Sequence, residues 1–543
     1  MQKTNTEKTI CRMVARALAA YGVRRAVTSP GSRNAPLLMA LDRSGEIATI
    51  PVIDERCAAF EALGLADISG EPVALCCTSG TALLNYAPAI AEAHYREIPL
   101  IVVSADRPAE WIDQADSQTI RQPGALGNFV KAEADLGDGS ALDEYLWYCN
   151  RKLNDVLAAA TSGPKGPVHI NIHLTAPLTS ETIIAPEEEV FHKIDIIAPA
   201  EVIPTDTARR LAKSLIGRQV LVVGGFHSPD DRLGKALASI AAIEGFRVID
   251  EGLSNIRGAM IEPGPDSPIG MPEVLITFGG SLVSAKLKEA LRQCGSIREH
   301  WHVGQEGRAV DTFRKLTTRI DFPASGFFPR LAGALGHHVR TGELMLKKNA
   351  TAQARTIDAP AEWDSATAVS DLLSAVPRQW NIQLGNGMSV RRALPLVAGG
   401  RFHRVSSNRG VSGIDGCMST AIGASAAYGK PTLLIVGDMS AQYDMGALAS
   451  GQVTPKLKIA VLDNGGGEIF RRVATTRSLP ERERLIAGGV RLPLRQLAES
   501  FGFRYLEAAD RGSLAIAAKS LAAENERPCL LRIIIDNEQL KQP

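Results

Sequence analysis

The chain has 543 residues, of which 45% are hydrophobic and 22% charged, and its formal net charge at pH 7 is +1. That length predicts about three domains, and the near-neutral charge gives no electrostatic case for binding nucleic acid or an anionic membrane. The first eight residues are polar, which predicts no signal peptide, and the chain has no run of about 18 apolar residues that would predict a membrane span.

Apolar runs alternate with helix-length segments from residue 1 to about residue 180. Such alternation predicts βαβ units and a parallel sheet. We predict a first α/β domain over residues 1–182, followed by an extended linker with prolines at 186, 199 and 204. The strands predicted for this domain are Arg25–Ser29, Ile50–Ile53, Val73–Cys77, Leu100–Ser104 and Val168–Leu174.

Two further series of the same kind follow. They predict a central domain over residues 203–340 and a third domain over residues 365–543, separated by a polar linker that contains Lys347-Lys348-Asn349 and Pro360. The predicted fold class is therefore α/β, with three consecutive parallel-sheet modules. The remaining predicted strands are Val220–Val223, Val248–Asp250, Val274–Phe278, His300–Val303, Asn381–Leu384, Arg404–Ser407, Thr432–Val436, Lys458–Leu462 and Leu530–Ile535.

The eight cysteines show no Cys-x-x-Cys spacing. This usage predicts free thiols in a reducing, cytoplasmic setting. The pair His337-His338 has no acidic or cysteine neighbour, so we interpret it as part of a surface or helix end and predict no metal there. The cysteines occupy positions 11, 57, 76, 77, 149, 294, 417 and 529.

Two motifs of the third module indicate a cation and a diphosphate. Gly437-Asp438-Met439-Ser440 follows one predicted strand, Asp463-Asn464-Gly465-Gly466-Gly467 follows the next, and Asn464 comes 26 residues after Asp438. Ligands of open α/β sheets bind beyond the carboxyl ends of the strands. Mg²⁺ prefers oxygen ligands and usually shares them between protein and phosphate. The two motifs therefore predict the metal and diphosphate half of a thiamine diphosphate site.

Glu55 lies where a predicted strand of the first module ends and a helix begins. Taken alone, its position is better explained by the helix dipole, which favours acidic residues in the first turn of a helix. A thiamine site changes its interpretation, because the cofactor needs a partly desolvated carboxylate beside its pyrimidine ring for proton transfer. That carboxylate must come from a different domain than the diphosphate site, and Glu55 meets this condition.

Five segments, in the same order along the chain, resemble the family of the menaquinone-pathway enzyme 2-succinyl-5-enolpyruvyl-6-hydroxy-3-cyclohexene-1-carboxylate synthase. The similarity covers the first and third modules and is weaker in the central one. Five ordered matches are far more specific than any single one. The segments are Ser29-Pro30-Gly31-Ser32-Arg33-Asn34-Ala35-Pro36-Leu37, Thr78-Ser79-Gly80-Thr81-Ala82, Ser104-Ala105-Asp106-Arg107-Pro108, Arg121-Gln122-Pro123-Gly124 and Asn408-Arg409-Gly410-Val411-Ser412-Gly413-Ile414-Asp415-Gly416.

The resemblance implies a transferase that depends on thiamine diphosphate and Mg²⁺, or Mn²⁺ in its place. It makes residues 1–182 the pyrimidine-binding domain and residues 365–543 the domain that binds diphosphate and metal. It also implies a homodimer or homotetramer with active sites shared between subunits. The implied reaction is decarboxylation of 2-oxoglutarate and 1,4-addition of the resulting succinyl-semialdehyde carbanion to isochorismate.

The resemblance also implies roles for individual residues. Glu55 resembles the glutamate that activates the pyrimidine, and Ile414 the apolar residue that supports the bent cofactor. The metal ligands are implied to be Asp438, Asn464 and the backbone carbonyl of Gly466. Further cofactor contacts are implied for Met439 and Ser440, and a place near the reacting carbon for Gln118.

Both substrates are dianionic acids, so the site needs fixed cations, and guanidinium groups suit bidentate carboxylate binding. By resemblance, one group of residues lies on the 2-oxoglutarate side and another on the isochorismate side, while Ile469 and Phe470 line the site. The first group is Arg391 and Arg409, and the second is Ser32, Arg33 and Arg107, with Gln118 and Lys286 as further substrate contacts.

Three positions depart from the family pattern. Ala285-Lys286 stands where a Lys-Arg pair is expected, so that one positive group is missing unless Lys288 replaces it. Gly387 stands where the family has a serine, and Asp463 replaces the first asparagine of an Asn-Asn pair. These differences concern the detail of the isochorismate contacts and not the cofactor chemistry.

Two alternatives remain open at this point. The first is another thiamine-dependent carboligase or decarboxylase that acts on a different 2-oxo acid. The second is a non-catalytic homologue that keeps the fold for assembly or ligand binding. The presence of Glu55, Asp438 and Asn464 together favours an enzyme, because the fold alone does not require all three.

Overall fold

Three six-stranded sheets organise the part of the chain that the computed structural model describes, which comprises residues 4–138, 143–184, 191–264, 266–347, 362–489, 491–523 and 525–535. The predictions made at Pro186, Lys348, Asn349 and Pro360 lie outside these residues. The strands in chain order are β1 (Thr4–Thr6), β2 (Arg25–Thr28), β3 (Ala48–Pro51), β4 (Val73–Cys77), β5 (Leu100–Asp106), β6 (Glu133–Gly137), β7 (Val168–His173), β8 (Glu181–Ile183), β9 (Val220–Gly224), β10 (Phe246–Asp250), β11 (Glu262–Pro263), β12 (Val274–Phe278), β13 (Glu299–Val303), β14 (Leu316–Ile320), β15 (Asn381–Leu384), β16 (Arg404–Ser407), β17 (Thr432–Gly437), β18 (Leu457–Asp463), β19 (Arg504–Ala508) and β20 (Cys529–Ile534).

Helices separate most of these strands, as expected for βαβ units. The α-helices in chain order are α1 (Thr9–Ala20), α2 (Ala35–Ser44), α3 (Glu55–Ser69), α4 (Thr81–Asn85), α5 (Ala87–Arg96), α6 (Asp143–Thr161), α7 (Thr205–Ser214), α8 (Asp231–Ala241), α9 (Ala285–Gln293), α10 (Ala324–Arg340), α11 (Ser365–Ala375), α12 (Met388–Val397), α13 (Cys417–Tyr428), α14 (Asp438–Tyr443), α15 (Glu468–Arg472), α16 (Leu494–Ser500) and α17 (Arg511–Ala522).

The chain divides into two compact units that do not follow its sequence order. The first unit comprises Met1–Ala198, Gly410–Gly429 and Ala441–Leu457, and the second comprises Pro199–Arg409, Lys430–Ser440 and Lys458–Pro543. The first unit holds one sheet and the second unit holds the other two. The boundaries 1–182, 203–340 and 365–543 therefore stay predictions about the three sheet modules.

The sheet of the first unit has the strand order β3-β2-β4-β5-β7-β6 and is parallel throughout. Its central strands β4 and β5 are buried along their whole length, which explains their continuous apolar sequences. Strand β3 was predicted to end at Ile53 but ends at Pro51, the last residue that pairs with β2. Ile53 is consequently 82% exposed.

The second unit contains the sheets β11-β10-β9-β12-β13-β14 and β16-β15-β17-β18-β20-β19. The first of these is parallel throughout, and in the second β15 pairs parallel with β16 and β17, while β20 pairs parallel with β18 and β19. Separate apolar cores pack against them. The predicted fold class of three parallel-sheet α/β modules is confirmed.

Helices α3 and α13, both in the first unit, approach each other backbone to backbone. A Cβ atom at Gly64 would lie 2.0 Å from the carbonyl oxygen of Thr420, and one at Gly423 would lie 2.0 Å from that of Glu61. At the start of α3 the carboxylate of Asp54 accepts hydrogen bonds from the backbone N–H groups of Arg56 and Cys57, a typical N-cap. Packing and capping together fix the helix end that carries Glu55.

In the described part of the chain, no helix is both long enough and apolar enough to cross a membrane. All eight cysteines are free thiols, and seven of them are buried.

Candidate functional site

Asp438 and Asn464, both in the second unit, lie where the neighbouring strands β17 and β18 end. The Asp438 carboxylate accepts hydrogen bonds from the N–H groups of Met439 at 2.7 Å and Gly466 at 2.8 Å. The glycine turn therefore folds back onto Asp438. Gly466 has φ 131°, and a Cβ there would lie 1.9 Å from the carbonyl oxygen of Ala487, so this position requires glycine.

The side-chain amide of Asn464 is oriented by Glu468, the first residue of α15. Asn464 Nδ2 donates to Glu468 Oε2 at 3.1 Å. The other carboxylate oxygen, Glu468 Oε1, accepts from Ser365 Oγ at 2.9 Å, Arg392 at 3.2 Å and Arg472 at 2.7 Å. Glu468 is buried, so these four contacts fix the direction of the Asn464 amide.

The Asn464 side-chain nitrogen donates to Glu468. The side-chain oxygen, Oδ1, is buried and receives no hydrogen bond from the described residues. A buried carbonyl oxygen without a donor is costly unless another partner satisfies it. An oxygen-binding cation is such a partner. The residues present therefore fit the predicted Mg²⁺ site.

The carboxylates around this site are not equivalent. Asp463 Oδ2 is bound by the guanidinium of Arg532 on β20, with N–O distances of 2.7 and 2.6 Å, and Glu468 is bound by two arginines. Asp438 has no ion pair in the described part of the chain. Burial raises the pKa of Asp438 to about 6, against the hydrogen bonds from Gly466 and Met439, which lower it. Asp438 is thus the carboxylate whose negative charge is available to neutralise a bound cation.

Met439, Ser440, Ile469 and Phe470 border the same turn. Ser440 is buried, whereas Met439, Ile469 and Phe470 are half-buried. A Cβ at Gly467 would lie 2.5 Å from the ring of Phe470 and 3.3 Å from the sulfur of Met439. The glycine therefore allows these two apolar side chains to meet beside the predicted metal ligands.

Arg391 and Arg409 lie around the loop that joins β15 to α12. Arg409 donates to Asn386 Oδ1 at 3.0 Å, and Arg391 donates to the carbonyl oxygen of Gly387 at 2.5 Å. Gly387 has φ 87° and no atom within 4 Å of a built Cβ. Gly387, which occupies the family's serine position, therefore lies in a turn whose backbone conformation favours glycine.

Of the two lysines on α9, Lys288 and not Lys286 lies in the field of these arginines. Burial lowers the pKa of the half-buried Lys288, Glu251 raises it, and the nearby charges of Arg409 and Arg391 lower it further. Lys286 is 77% exposed and pairs with Asp266 at 3.2 Å. The role predicted for Lys286 stays a prediction, and Lys288 joins the candidates.

In the first unit, the loop that carries Ile414 is attached to the helices around Glu55. Glu92 accepts hydrogen bonds from the N–H groups of Gly410 at 2.8 Å and Val411 at 2.7 Å. A Cβ at Gly416 would overlap the ring of Phe60 on α3. Glu55 and Ile414 are both partly buried, and the same helix α3 supports both segments.

Arg33 and Arg107 also lie close together in the first unit. Burial lowers the pKa of Arg33, and the charge of Arg107 lowers it further. Arg33 donates to the carbonyl oxygen of Leu174 at 2.9 Å, and Arg107 forms an ion pair with Asp116. Ser32 is exposed one residue before Arg33. Two cations at one sheet edge form a suitable recess for a carboxylate.

Gln118 lies over the motif that contains Ser79 and Gly80. Its Nε2 atom donates to the carbonyl oxygen of Ser79 at 2.8 Å, and Ser79 Oγ donates to the Gln118 carbonyl at 2.9 Å. The preceding loop contains Ala115 and Ser117 with φ 57° and 53°. Left-handed conformations at such residues are strained and are commonly retained at functional sites.

Sequence reasoning missed Glu468 and named Lys288 only as the alternative to a missing positive group. It also missed His173, which contacts the backbone carbonyl of Arg107 and pairs with Asp135 at 3.0 Å. The pKa of His173 is raised to about 9, because its bonds to Asp135 and the Arg107 carbonyl outweigh burial, which lowers it. Of these residues, only Glu468 could have been identified from the sequence, because it directly follows the glycine turn.

Comparison with known proteins gives three results. Residues 8–125 match the family described as "Thiamine pyrophosphate enzyme, N-terminal TPP binding domain". Relatives named 2-succinyl-5-enolpyruvyl-6-hydroxy-3-cyclohexene-1-carboxylate synthase occur in Porphyromonas gingivalis (39% identical, over 94% of this chain and 92% of the relative), Bacteroides fragilis (37%, 95% and 93%) and Desulfotalea psychrophila (34%, 95% and 96%). The crystal structure of benzoylformate decarboxylase from Polynucleobacter necessarius superposes with a TM-score of 0.72 at 14% identity, over 98% of this chain and 99% of that one, and shows the fold alone.

Proposed function

This chain belongs to the family of the 2-succinyl-5-enolpyruvyl-6-hydroxy-3-cyclohexene-1-carboxylate synthases, which are thiamine diphosphate enzymes, and we propose that it catalyses the complete reaction of that name. It decarboxylates 2-oxoglutarate and adds the remaining succinyl-semialdehyde unit to isochorismate in a 1,4 fashion. The product serves menaquinone biosynthesis. The observation that carries the proposal is the Asn464 amide, whose oxygen is buried without a donor beside Asp438.

Asp438, Asn464 and the Gly466 carbonyl would hold Mg²⁺, or Mn²⁺ in its place, together with the cofactor's diphosphate. When bound, thiamine diphosphate supplies an acidic thiazolium carbon that adds to 2-oxo acids, and the metal neutralises its diphosphate. Met439 and Ser440 contact the cofactor next to Asp438. Glu468 is the positioning residue that directs the Asn464 oxygen away from its own carboxylate.

Glu55 would hold and transfer a proton at the cofactor's pyrimidine ring, and Ile414 would support the cofactor with its apolar side chain. The Asp54 cap and the close packing of α3 against α13 fix the backbone that carries Glu55. Such preorganisation lets a general acid–base group act without a search for the correct geometry. Gln118, fixed through Ser79, offers its amide near the reacting carbon.

The substrate carboxylates are bound by two groups of cations. Arg391 and Arg409 bind 2-oxoglutarate, and Lys288 adds the positive charge that the Ala285-Lys286 departure removes. Arg33 and Arg107, with Ser32 and Gln118, bind isochorismate. Lys286 remains a peripheral candidate, while Ile469 and Phe470 form the apolar wall that limits access of water to the reaction.

We also propose a homodimer or homotetramer with active sites shared between subunits, located in the cytoplasm. Ile53, two residues before Glu55, is an 82% exposed isoleucine, and Val411 and Tyr443 are exposed in the same unit. Large apolar side chains that remain in water often mark an association surface. The free thiols support a reducing compartment.

The test measures carbon dioxide release from 2-oxoglutarate by the purified protein with thiamine diphosphate and Mg²⁺. We expect release that depends on isochorismate and an equal yield of the six-membered-ring product. Equivalent turnover of pyruvate without isochorismate would instead indicate a carboligase or decarboxylase for another 2-oxo acid. Cofactor binding without any turnover would indicate a non-catalytic homologue.

A further inference from the structure

A cavity of about 720 Å³ lies between helices α7 and α10 in the second unit, outside the site described above. Its lining contains five arginine or lysine side chains, two histidines and no carboxylate. The chain as a whole has a formal net charge of only +1, so this is a local concentration of positive charge. The five permanent cations are Arg209, Arg210, Lys213, Arg330 and Arg340.

Most of this charge is not compensated within the protein. Arg209 pairs with Asp206 at 3.2 Å, and His338 pairs with Glu343 at 3.1 Å. The other four permanent cations have no carboxylate within ion-pair distance over the described ranges. Cations that share one recess repel each other, and a bound anion with several charges removes that repulsion.

The spacing of these residues places them on the facing sides of the two helices. On α7, Lys213 follows Arg209 by four residues and Arg210 by three, which puts all three on adjoining positions of one surface. On α10, Arg330 and His337 are seven residues apart, with Gly333 and Ala334 between them. Small residues and cations of both helices thus line the same groove.

Gly333 lines the groove and contributes no side chain to it. It lies inside α10 without a left-handed φ, and no atom lies within 4 Å of a Cβ built there. Glycine in a helix interior costs about 1 kcal/mol relative to alanine. Packing does not require it here, whereas a side chain at this position would occupy the cavity.

We propose that the groove between α7 and α10 binds a small molecule with two or more negative charges on a body larger than a single phosphate. Guanidinium groups suit carboxylate, phosphate and sulfonate oxygens alike. Because the rim is exposed, binding weakens as the salt concentration rises. The inference depends only on contacts in the second unit and is independent of the reaction proposed above.

The test uses pyrene-1,3,6,8-tetrasulfonate, a fluorescent tetra-anion, with holoenzyme saturated with thiamine diphosphate and Mg²⁺. We expect saturable binding of one probe per chain by fluorescence anisotropy, and much weaker binding of the monoanion pyrene-1-sulfonate. The double variant R210Q/K213Q should bind the tetra-anion at least about tenfold more weakly, because it loses two charge-assisted contacts.

Two further variants separate a groove from a diffuse basic surface. Gly333→Leu keeps every charge but fills the groove, and it should weaken probe binding about as much as R210Q/K213Q; Ala334→Leu does the same if Gly333→Leu does not fold. Lys235→Gln, on the neighbouring helix α8, removes an exposed charge outside the groove and should leave the affinity unchanged. Undiminished binding by both leucine variants, or an equal loss in Lys235→Gln, would overturn the proposal. The proposal would also be overturned if the protein bound phosphatidylserine vesicles and both leucine variants bound them equally well.

Discussion

The orientation of Asn464 depends on a single carboxylate. Glu468 Oε1 is occupied by donors from Ser365, Arg392 and Arg472, so Oε2 is the oxygen that meets the Asn464 nitrogen. A residue of this kind acts on a bound metal without touching it. Removal of such a partner typically weakens metal affinity about 10- to 100-fold.

Glu468→Gln should disturb this arrangement while it preserves size. The glutamine oxygen has to face the arginines, so its NH₂ group faces the NH₂ group of Asn464, and the Asn464 amide must turn its nitrogen toward the metal. We expect the Mn²⁺ affinity of the folded variant, measured by electron paramagnetic resonance, to fall about tenfold or more. Glu299→Gln, which disrupts an ion pair with Arg218, serves as control. Wild-type metal affinity in Glu468→Gln would contradict the role of Glu468.

The two lysines of α9 provide a paired test on the substrate side. Lys288→Met should raise the concentration of 2-oxoglutarate needed for half-maximal rate about tenfold, because a charged contact to a carboxylate contributes roughly 1.5–3 kcal/mol. Lys286→Met should behave like the wild type, since Lys286 is largely exposed and pairs with Asp266. Steady-state kinetics at saturating cofactor measure both. The opposite ranking would return the role to Lys286.

The sequence was sufficient to predict where the residues that directly follow a strand end lie. Asp438 and Asn464 come directly after apolar runs, and the carboxyl ends of parallel strands share one edge. Glu468 and Lys288 were different, because their roles depend on which neighbour their side chains meet in three dimensions. No spacing rule distinguishes Lys288 from Lys286.

At the scale of elements, the predicted strands were mainly the buried ones. Strands β4, β12, β15 and β16 have the predicted bounds, whereas β1, β6, β8, β11, β14 and β19 were not predicted. Each of these six strands lies at the edge of its sheet and contains exposed or half-buried side chains. An edge strand with polar residues lacks the continuous apolar run that identifies a central parallel strand.

The α3–α13 contact gives an element-scale prediction. Gly423→Ala places a methyl group 2.0 Å from the carbonyl oxygen of Glu61, a backbone atom that cannot rotate away. We expect a net loss of about 1–3 kcal/mol of unfolding free energy, since overpacking outweighs the higher helix propensity of alanine. Gly333→Ala in α10, where a Cβ meets no atom within 4 Å, should be neutral or slightly stabilising. Thermal and urea unfolding compare the two, and equal effects would contradict the close backbone contact.

At the scale of the whole molecule, the proposal of shared active sites predicts complementation. Glu55→Gln and Asn464→Ala should each be inactive alone. A hybrid dimer with one subunit of each kind contains one site with both defects and one site with none, so it should show about half the wild-type activity per dimer. Two affinity tags isolate the hybrid for assay. An inactive hybrid of confirmed composition would show that each site belongs to one chain.

The central claim is that Glu55 activates a cofactor that Asp438 and Asn464 hold through a metal. The most direct measurement is hydrogen–deuterium exchange at the thiazolium C2 of thiamine diphosphate bound to the wild type and to Glu55→Gln, followed by NMR after acid quench. We predict equal cofactor affinity and exchange about 10²- to 10⁴-fold slower in the variant. Exchange at the wild-type rate in the variant would contradict the claim.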